Sequence, residues 1–269
     1  MYFNPGYNEP IEEFDCVRDL GVLIDADGSF LSHRLMVQKK TMIKCSWILR
    51  TFRSRDPDLL KTLWRSLAQP IQDYASQVWS PVGRSGEIAW QEKPLRLLTR
   101  RMTGMKKLNY WQRLSTLKML STERRTERYK ILYLWKSLLG MVPDIGIRIA
   151  TQEESRLGLT VRVPEKSGSR ELVQTLKDQF FTTHGPRLFN SLPKSIRVWG
   201  SSLEMFKVKL DMFLMVIPDQ PVLAGYQSYN PARNGRNSNS IVDWVRNNPA
   251  LQLWSPDINP IEQSGGETL

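Results

Sequence analysis

The residues with the clearest chemical potential are two aspartates in the segment EEFDCVRDLGVLIDADGSFLSH, residues 12–33. Asp25 and Asp27 stand on either side of one alanine, and paired carboxylates are hard oxygen ligands that divalent cations prefer. An EF-hand loop would need further oxygen ligands and a glutamate near its end, which the following LSHRL does not supply. Acids at such a position more commonly form a turn and cap the next helix. We adopt the turn as the interpretation and keep an active metal site as an alternative.

The rest of the sequence offers no self-sufficient catalytic arrangement. His33 and His184 lie far apart in the sequence, and it has neither a nucleophile elbow nor a Gly-rich phosphate loop. We therefore predict no catalytic residue and no metal ligand. Cys16 and Cys45 are too few for a disulfide framework or a structural zinc site, which favours a reducing compartment.

Neither a signal peptide nor a membrane span is expected. The first thirty residues lack a basic start followed by an apolar core, and no apolar run reaches the roughly 20 residues that a spanning helix needs. The sequence thus predicts a nuclear or cytoplasmic protein that is not secreted and does not bind a membrane. It does not predict an oligomeric state.

Positive charge dominates the middle of the chain. The formal net charge is +11, and thirteen Lys or Arg residues face two acids between Lys93 and Lys136. Such a field concentrates polyanions near the surface. The basic segments also contain flat side chains, which together with bases form the stacking platforms of nucleic-acid grooves. These side chains are Trp47, Phe52, Trp64, Tyr110, Trp111, Tyr129, Tyr133 and Trp135.

Two of these aromatics, together with Trp79, have a simpler interpretation as core. Trp64, Trp79 and Trp135 recur at helical spacing with leucines, and we expect them to be buried. The bases at positions 100, 101, 106 and 107 crowd into eight residues without an acid. For them, phosphate contact and a merely solvated face both remain open.

Periodicity outlines the elements that position these residues. Residues 11–24 alternate loosely and end at a turn, which suits a short hairpin. Residues 33–52 have apolar and basic stripes at helical spacing. Asp56 and Pro57 then form a strong helix start, and Pro70 should kink the helix that follows.

Further helices are predicted at about 88–103 and 121–139, and a short amphipathic helix over residues 203–213. Leu157, Leu159, Val161 and Val163 alternate as in a half-buried strand. From Pro218 onward the composition predicts a largely irregular tail. The predicted fold class is mainly α, with a short N-terminal β-hairpin, a basic helical bundle, a small mixed C-terminal segment and that tail.

Several longer segments together resemble one enzyme family. They are RDLGVLIDADGSFLSH, LRTFRSRDPDLLKTLWRSLAQPIQDYASQVWSP, RRMTGMKKLNYWQRLSTLKMLSTERRTERYKILYLWKSLLGMVP, FFTTHGPRLFNSLPKSIR and SLEMFKVKLDMFL. In order and spacing they are similar to the region downstream of the catalytic palm in reverse transcriptases of non-LTR (LINE-type, jockey-like) retrotransposons. The resemblance covers residues 11–217.

The resemblance implies a division of the chain and a partner. Residues 1–30 would be a remnant of the palm–thumb junction with Leu20, Gly21 and Val22 near the primer. A thumb-like helical domain would follow over 31–145, a connection-like region over 146–217 and the tail over 218–269. The partner would be an RNA or DNA template-primer. The expected nucleic-acid contacts are Lys39, Lys40, Lys44, Arg50, Arg53, Arg55, Arg100, Arg101, Lys106, Lys107, Arg124 and Arg125.

One departure from the family bears on activity. Reverse transcription uses metal ions held by palm carboxylates, and this sequence contains no Asp-Asp dipeptide. We therefore expect a fragment that is inactive alone and needs no cofactor, because Mg²⁺ would belong to the missing palm. A separately encoded palm is a possible partner. The alternative function is a helical protein-interaction module derived from such an element.

Overall fold

The computed structural model describes residues 14–82, 85–150, 159–164, 180–221 and 239–256. These residues are mainly helical, with one two-stranded hairpin on the N-terminal side. The predicted fold class is therefore confirmed. Within the same residues, no helix is both long and apolar enough to cross a bilayer.

The hairpin consists of β1 (Cys16–Asp19) paired antiparallel with β2 (Val22–Asp25). Its two connecting residues, Leu20 and Gly21, have φ values of 44° and 87°, and tight hairpins require this left-handed backbone. Glycine suits the second turn position because L side chains rarely adopt a φ of 87°. The Tyr74 hydroxyl donates a hydrogen bond of 2.7 Å to the Leu20 carbonyl. The hairpin is thus attached to the helical body.

The first helix, α1 (Leu31–Thr51), occupies the predicted segment. Its buried face includes Val37, Cys45 and Ile48, and it packs along α5 (Ser85–Arg100). The opposite face is exposed and basic. The helical period therefore separates an exposed basic side from a buried side, which also contains polar residues such as Arg34.

The second helix, α2 (Pro57–Leu63), begins as predicted. The Asp56 carboxylate accepts a hydrogen bond of 2.8 Å from the Leu59 amide, and proline is tolerated at the first helical position because its missing N–H would have no intrahelical partner there. Local chemistry alone therefore fixes the start of α2.

The predicted break near Pro70 takes a specific form. Residues Trp64–Ala68 wind as a π-helical turn, and α3 (Gln69–Asp73) follows directly. Proline cannot donate the amide hydrogen bond that a continuous helix needs, so a wider turn accommodates it. The next helix, α4 (Ser76–Trp79), follows after Ala75, which has a left-handed backbone.

The basic middle of the chain contains one more helix than predicted. Between α5 and α7 (Thr122–Leu138) lies α6 (Tyr110–Leu117). Asn109 and Gln112 form a reciprocal capping box at its start, which satisfies two amides that would otherwise lack partners. The short loop before α6 places Tyr110 against α5.

A first core, which we call the N-terminal core, lies among α1, α2, α5 and α6 and the π-helical turn. Trp64 is completely buried in it, as predicted. Its buried members are Cys45, Ile48, Leu60, Trp64, Ala68, Leu95, Leu98, Met102, Met105, Tyr110, Leu114, Leu117 and Met119.

A second core joins α7 to three C-terminal helices: α8 (Phe181–Ser191), α9 (Leu203–Val216) and α10 (Ile241–Asn247). Trp135 of α7 is fully buried here, as predicted. Its ring stacks on Phe206 with a centroid separation of 4.5 Å. The helix α7 therefore lies within the segment 31–145 that the sequence predicts to be thumb-like, but its apolar side packs in this second core.

The predicted strand and tail differ from expectation. Val161 pairs with Ile149 in an isolated bridge rather than a strand, and Leu157 lies outside the described residues. In the tail, α10 is followed by a 3₁₀ helix, Pro249–Leu253. Ile241 is buried in the second core, and such burial offsets the entropy of ordering a polar segment. Residues 222–238 and 257–269 of the tail lie outside the described ranges.

Candidate nucleic-acid interface

One exposed face of α1 combines bases with a flat side chain. At 100° per residue, Lys39, Arg50, Ile43, Trp47, Lys40 and Lys44 fall within about 140° of the helix circumference. The side chain of Ile43 is 57% exposed and that of Trp47 41% exposed. The helix contains no Asp or Glu. We call these six residues the α1 face.

The Trp47 ring is held by its neighbours on the helix. The Lys44 ammonium nitrogen lies 5.2 Å from the ring centroid, within range of a cation–π interaction. Phe52 contacts the same ring edge-on at 6.2 Å. The indole therefore remains oriented and accessible, and this combination of charge and flat surface suits a polynucleotide strand.

A backbone contact brings two basic segments together. The Thr103 amide donates a hydrogen bond of 2.9 Å to the Arg55 carbonyl, and its hydroxyl donates a second one of 3.1 Å. The loop after α1 thus lies against the turn after α5. We call the exposed bases in these two segments and at the adjoining helix ends the loop cluster. They are Arg50, Arg53, Arg100, Arg101, Lys106 and Lys107.

Arg55 has a different role from its neighbours. Its guanidinium donates to the carbonyls of Leu49, Phe52 and Ser54. These are carbonyls at the C-terminal end of α1 and just beyond it, where positive charge complements the helix dipole. Because these contacts hold its guanidinium within the protein, Arg55 stabilises the loop after α1 and adds little to the exposed charge of the loop cluster.

The prediction that Arg124 and Arg125 contact nucleic acid is wrong. Arg124 is completely buried and donates to the carbonyls of Pro218 and Asn239. Arg125 is 6% exposed and its Nε lies 2.7 Å from the Asp73 carboxylate. The helix that carries them is enclosed by elements from both cores. These charges therefore stabilise packing and do not reach a phosphate.

The three residues predicted to lie at a palm–thumb junction, Leu20, Gly21 and Val22, divide between surface and interior. Leu20 is 84% exposed at the hairpin tip, whereas Val22 is 7% exposed and packs against Val37 and Trp79. Gly21 lies in the turn beside them. Other apolar residues of the hairpin are exposed as well: Phe14, Val17 and Ile24.

The acidic turn is occupied by its own hydrogen bonds. The Asp25 carboxylate accepts from the Ser32 amide at 3.0 Å and the Ser29 hydroxyl at 3.3 Å, and Asp27 accepts from the Ser29 amide. Although burial alone would raise it, the hydrogen bonds from Ser32 and Ser29 hold the pKa of Asp25 below its usual value. These hydrogen bonds hold both carboxylates within the turn, and among the residues that the structure describes no group of three or more His, Cys, Asp or Glu is placed to hold a metal ion.

The two histidines lie in separate environments. His33 accepts a hydrogen bond from the Leu23 amide at 3.1 Å, and its ring meets Trp79 edge-on at 5.0 Å. Burial, together with nearby positive charge, lowers the pKa of His33. His184 belongs to α8, where burial lowers its pKa well below the usual range. Both rings are therefore neutral packing elements at physiological pH.

Sequence reasoning did not identify two arginines beside the loop cluster. Arg96 and Arg113 line the same cleft as Arg100 and Lys106. The signal was present in part, because Arg96 and Arg100 are four residues apart on one helix and therefore share a face. The approach of Arg113 depends on α6, which the sequence analysis did not predict.

Comparison with known proteins gives one short similarity. An uncharacterized protein of Caenorhabditis elegans is 30% identical over 86 residues, which are 32% of this chain and 43% of that protein. This chain thus spans less than half of the relative's length. No protein-family profile matches the chain, and no solved structure matches it.

Proposed function

We propose that this chain is the nucleic-acid-gripping, thumb-like part of a retrotransposon reverse transcriptase. Its surface binds RNA or DNA template-primer by contacts to the phosphate backbone, and it does not polymerise nucleotides by itself. The observation that carries the proposal is the α1 face, where four bases surround an exposed tryptophan on an acid-free helix. The loop cluster extends this charge onto the adjoining loops.

Several features support a binding role without chemistry. The bases of the α1 face and the loop cluster are supplied by helices and by loops held by backbone hydrogen bonds. Such contacts fix a duplex in place but carry little sequence information. The acidic turn is engaged in its own hydrogen bonds and offers no ready carboxylate pair. Binding should consequently be strong at low ionic strength and weakly selective for sequence.

Charge reversal on the α1 face tests the proposal. The Lys40→Glu/Arg50→Glu double variant should bind labelled duplexes more weakly than the natural chain does. The affinity should fall by the same factor for duplexes of different sequence. The double variant should also reduce the magnitude of the log–log salt slope by about 2, one for each lost phosphate contact. The matched control is Arg162→Glu/Lys194→Glu, two exposed bases of the C-terminal region. An equal loss of affinity in the Lys40→Glu/Arg50→Glu double variant and in the control double variant would refute a localised interface.

A second candidate function follows from the exposed apolar hairpin. Phe14, Val17, Leu20 and Ile24 are between 39% and 84% exposed, and exposed apolar clusters mark protein contacts more often than chance. As a protein-interaction module, the chain would retain its partner after nuclease treatment and after Lys40→Glu/Arg50→Glu. It would lose that partner on Leu20→Asp. Pull-down with these two variants separates this function from the first.

A further inference from the structure

A cleft of ≈ 490 Å³ lies where the end of α5 meets the start of α6. It is lined by four bases, two aromatic rings, two leucines and an asparagine, with no acid among these lining residues. The bases and rings are Arg96, Arg100, Lys106, Arg113, Tyr110 and Trp111. Volumes in this range accommodate small organic ligands.

The charges around the cleft call for an anion. Arg113 is 7% exposed and fixed by hydrogen bonds to the Leu108 carbonyl and the Thr99 hydroxyl. Burial lowers the pKa of Arg113, and the charges of Arg96 and Arg100 lower it further. An anion in the cleft would reduce this repulsion and accept hydrogen bonds from several donors.

Glu92, a buried acid near the cleft, does not pair with the bases that line it. Glu92 accepts a hydrogen bond from the Tyr110 hydroxyl and another from the Glu123 amide at 3.0 Å. These contacts hold the carboxylate behind the Tyr110 side chain, and it is not among the residues that line the cleft. The positive charge of the lining therefore remains available.

The cleft also presents flat surfaces. The guanidinium carbon of Arg96 lies 4.1 Å from the Tyr110 ring centroid and 5.4 Å from that of Trp111. Stacked guanidinium and indole planes are the surfaces on which unpaired bases rest in single-strand-binding proteins. Phosphate-binding charge and flat walls thus occur in one concave site.

We propose that the cleft holds one unpaired nucleotide of a bound strand, with its phosphate against Arg100 and Lys106 and its base against Trp111. This inference rests on the proposed function and adds a preference to it. A base within a duplex is stacked between its neighbours and cannot enter a concave site, whereas an unpaired base can. The chain therefore binds a duplex with a single-stranded extension more tightly than the same duplex with blunt ends.

Fluorescence anisotropy on the full chain tests this preference with two labelled probes that differ only in a short single-stranded extension. The extended probe should bind about tenfold more tightly, as expected for one stacked base. The Arg100→Glu/Lys106→Glu double variant changes two cleft residues and should lose the preference. The Arg101→Glu/Lys107→Glu double variant makes the same charge change just outside the cleft. It should weaken both probes alike and keep the preference.

The outcomes separate this inference from the proposed function. Binding of both probes with equal affinity, or equal loss of preference in the two doubles, overturns the cleft while leaving the general interface intact. If the chain binds neither probe, the cleft and the proposed function are both overturned. Millimolar adenosine monophosphate provides a further arm. Selective loss of the preference supports the cleft and shows that it also accepts a free nucleotide, whereas an unchanged preference counts against a nucleotide site in the cleft.

Discussion

Lys130 provides the sharpest stability prediction because it is a cation in the protein interior. It is 2% exposed on α7 and lines a cavity of ≈ 200 Å³ together with Glu123, Glu127 and His184. Burial lowers the pKa of Lys130 to about 8, although the charges of Glu127 and Glu123 oppose that shift. A water-exposed lysine titrates near 10.4.

The direction of the pH effect follows from these two values. Between about pH 8 and pH 10.5, the unfolded chain keeps the Lys130 proton and the folded chain has released it. Because the unfolded state then binds more protons, the free energy of unfolding rises with pH across this window. The difference of about 2.5 pKa values corresponds to about 3 kcal/mol in total.

The measurement compares urea unfolding of the natural chain and Lys130→Met at several pH values between 8 and 9.5. The methionine keeps a similar shape without the charge, so its stability should lack this rise. Taking the difference removes contributions from groups common to both proteins. Lys136→Met, on the same helix at a half-buried position, should retain the rise. Parallel pH profiles for the natural chain and Lys130→Met would refute the assignment.

Two further perturbations test the packing. Asp56→Ala should lower the free energy of unfolding by about 1 kcal/mol because α2 loses its capping acceptor. Asp56→Asn should keep most of the stability, since asparagine also caps helices. An unchanged denaturant midpoint in Asp56→Ala would contradict the cap. Arg125→Met should cost about 3 kcal/mol because the Asp73 carboxylate loses its cation and keeps only the hydrogen bonds from Gln69 and Tyr129. The Arg125→Met/Asp73→Leu double variant should recover part of this loss. If the double variant is as destabilised as Arg125→Met alone, the result would argue against a stabilising ion pair between Arg125 and Asp73.

The elements that the sequence predicts well are those set by neighbouring residues. The start of α2 needs only Asp56 and Pro57, and the extent of α1 needs only its helical period. The helix α6 was missed although Asn109 and Gln112 have capping-box spacing, because its apolar stripe is short. Its stability comes from burial of Tyr110 in the N-terminal core, which no local pattern contains.

The helix α8 was not predicted because it contains two residues that usually interrupt helices. Gly185 and Pro186 lie inside it. Glycine fits closely there, since an added Cβ would lie 3.0 Å from the Phe181 ring and the ring would have to shift. The ring in turn meets Tyr133 edge-on at 5.4 Å. Tertiary contacts of this kind override the weak local preference against a helix.

The candidate interface shows the same division between local and tertiary information. The exposed bases of α1 follow from its amphipathic period. Arg124 and Arg125 were assigned from charge density, which counts cations without locating them. Their burial depends on Asn239 and Asp73, which lie 115 and 52 residues away along the chain. Composition alone therefore does not distinguish basic residues on a helix enclosed by two cores from basic residues on the protein surface.

The most direct test of the proposed function is the salt dependence of binding by the intact chain. Anisotropy titrations of a labelled template-primer duplex at increasing salt should give a straight log–log plot. If about six phosphates are contacted, its slope is about −5. A response independent of salt, or no binding at low ionic strength, would contradict a surface that grips the nucleic-acid backbone.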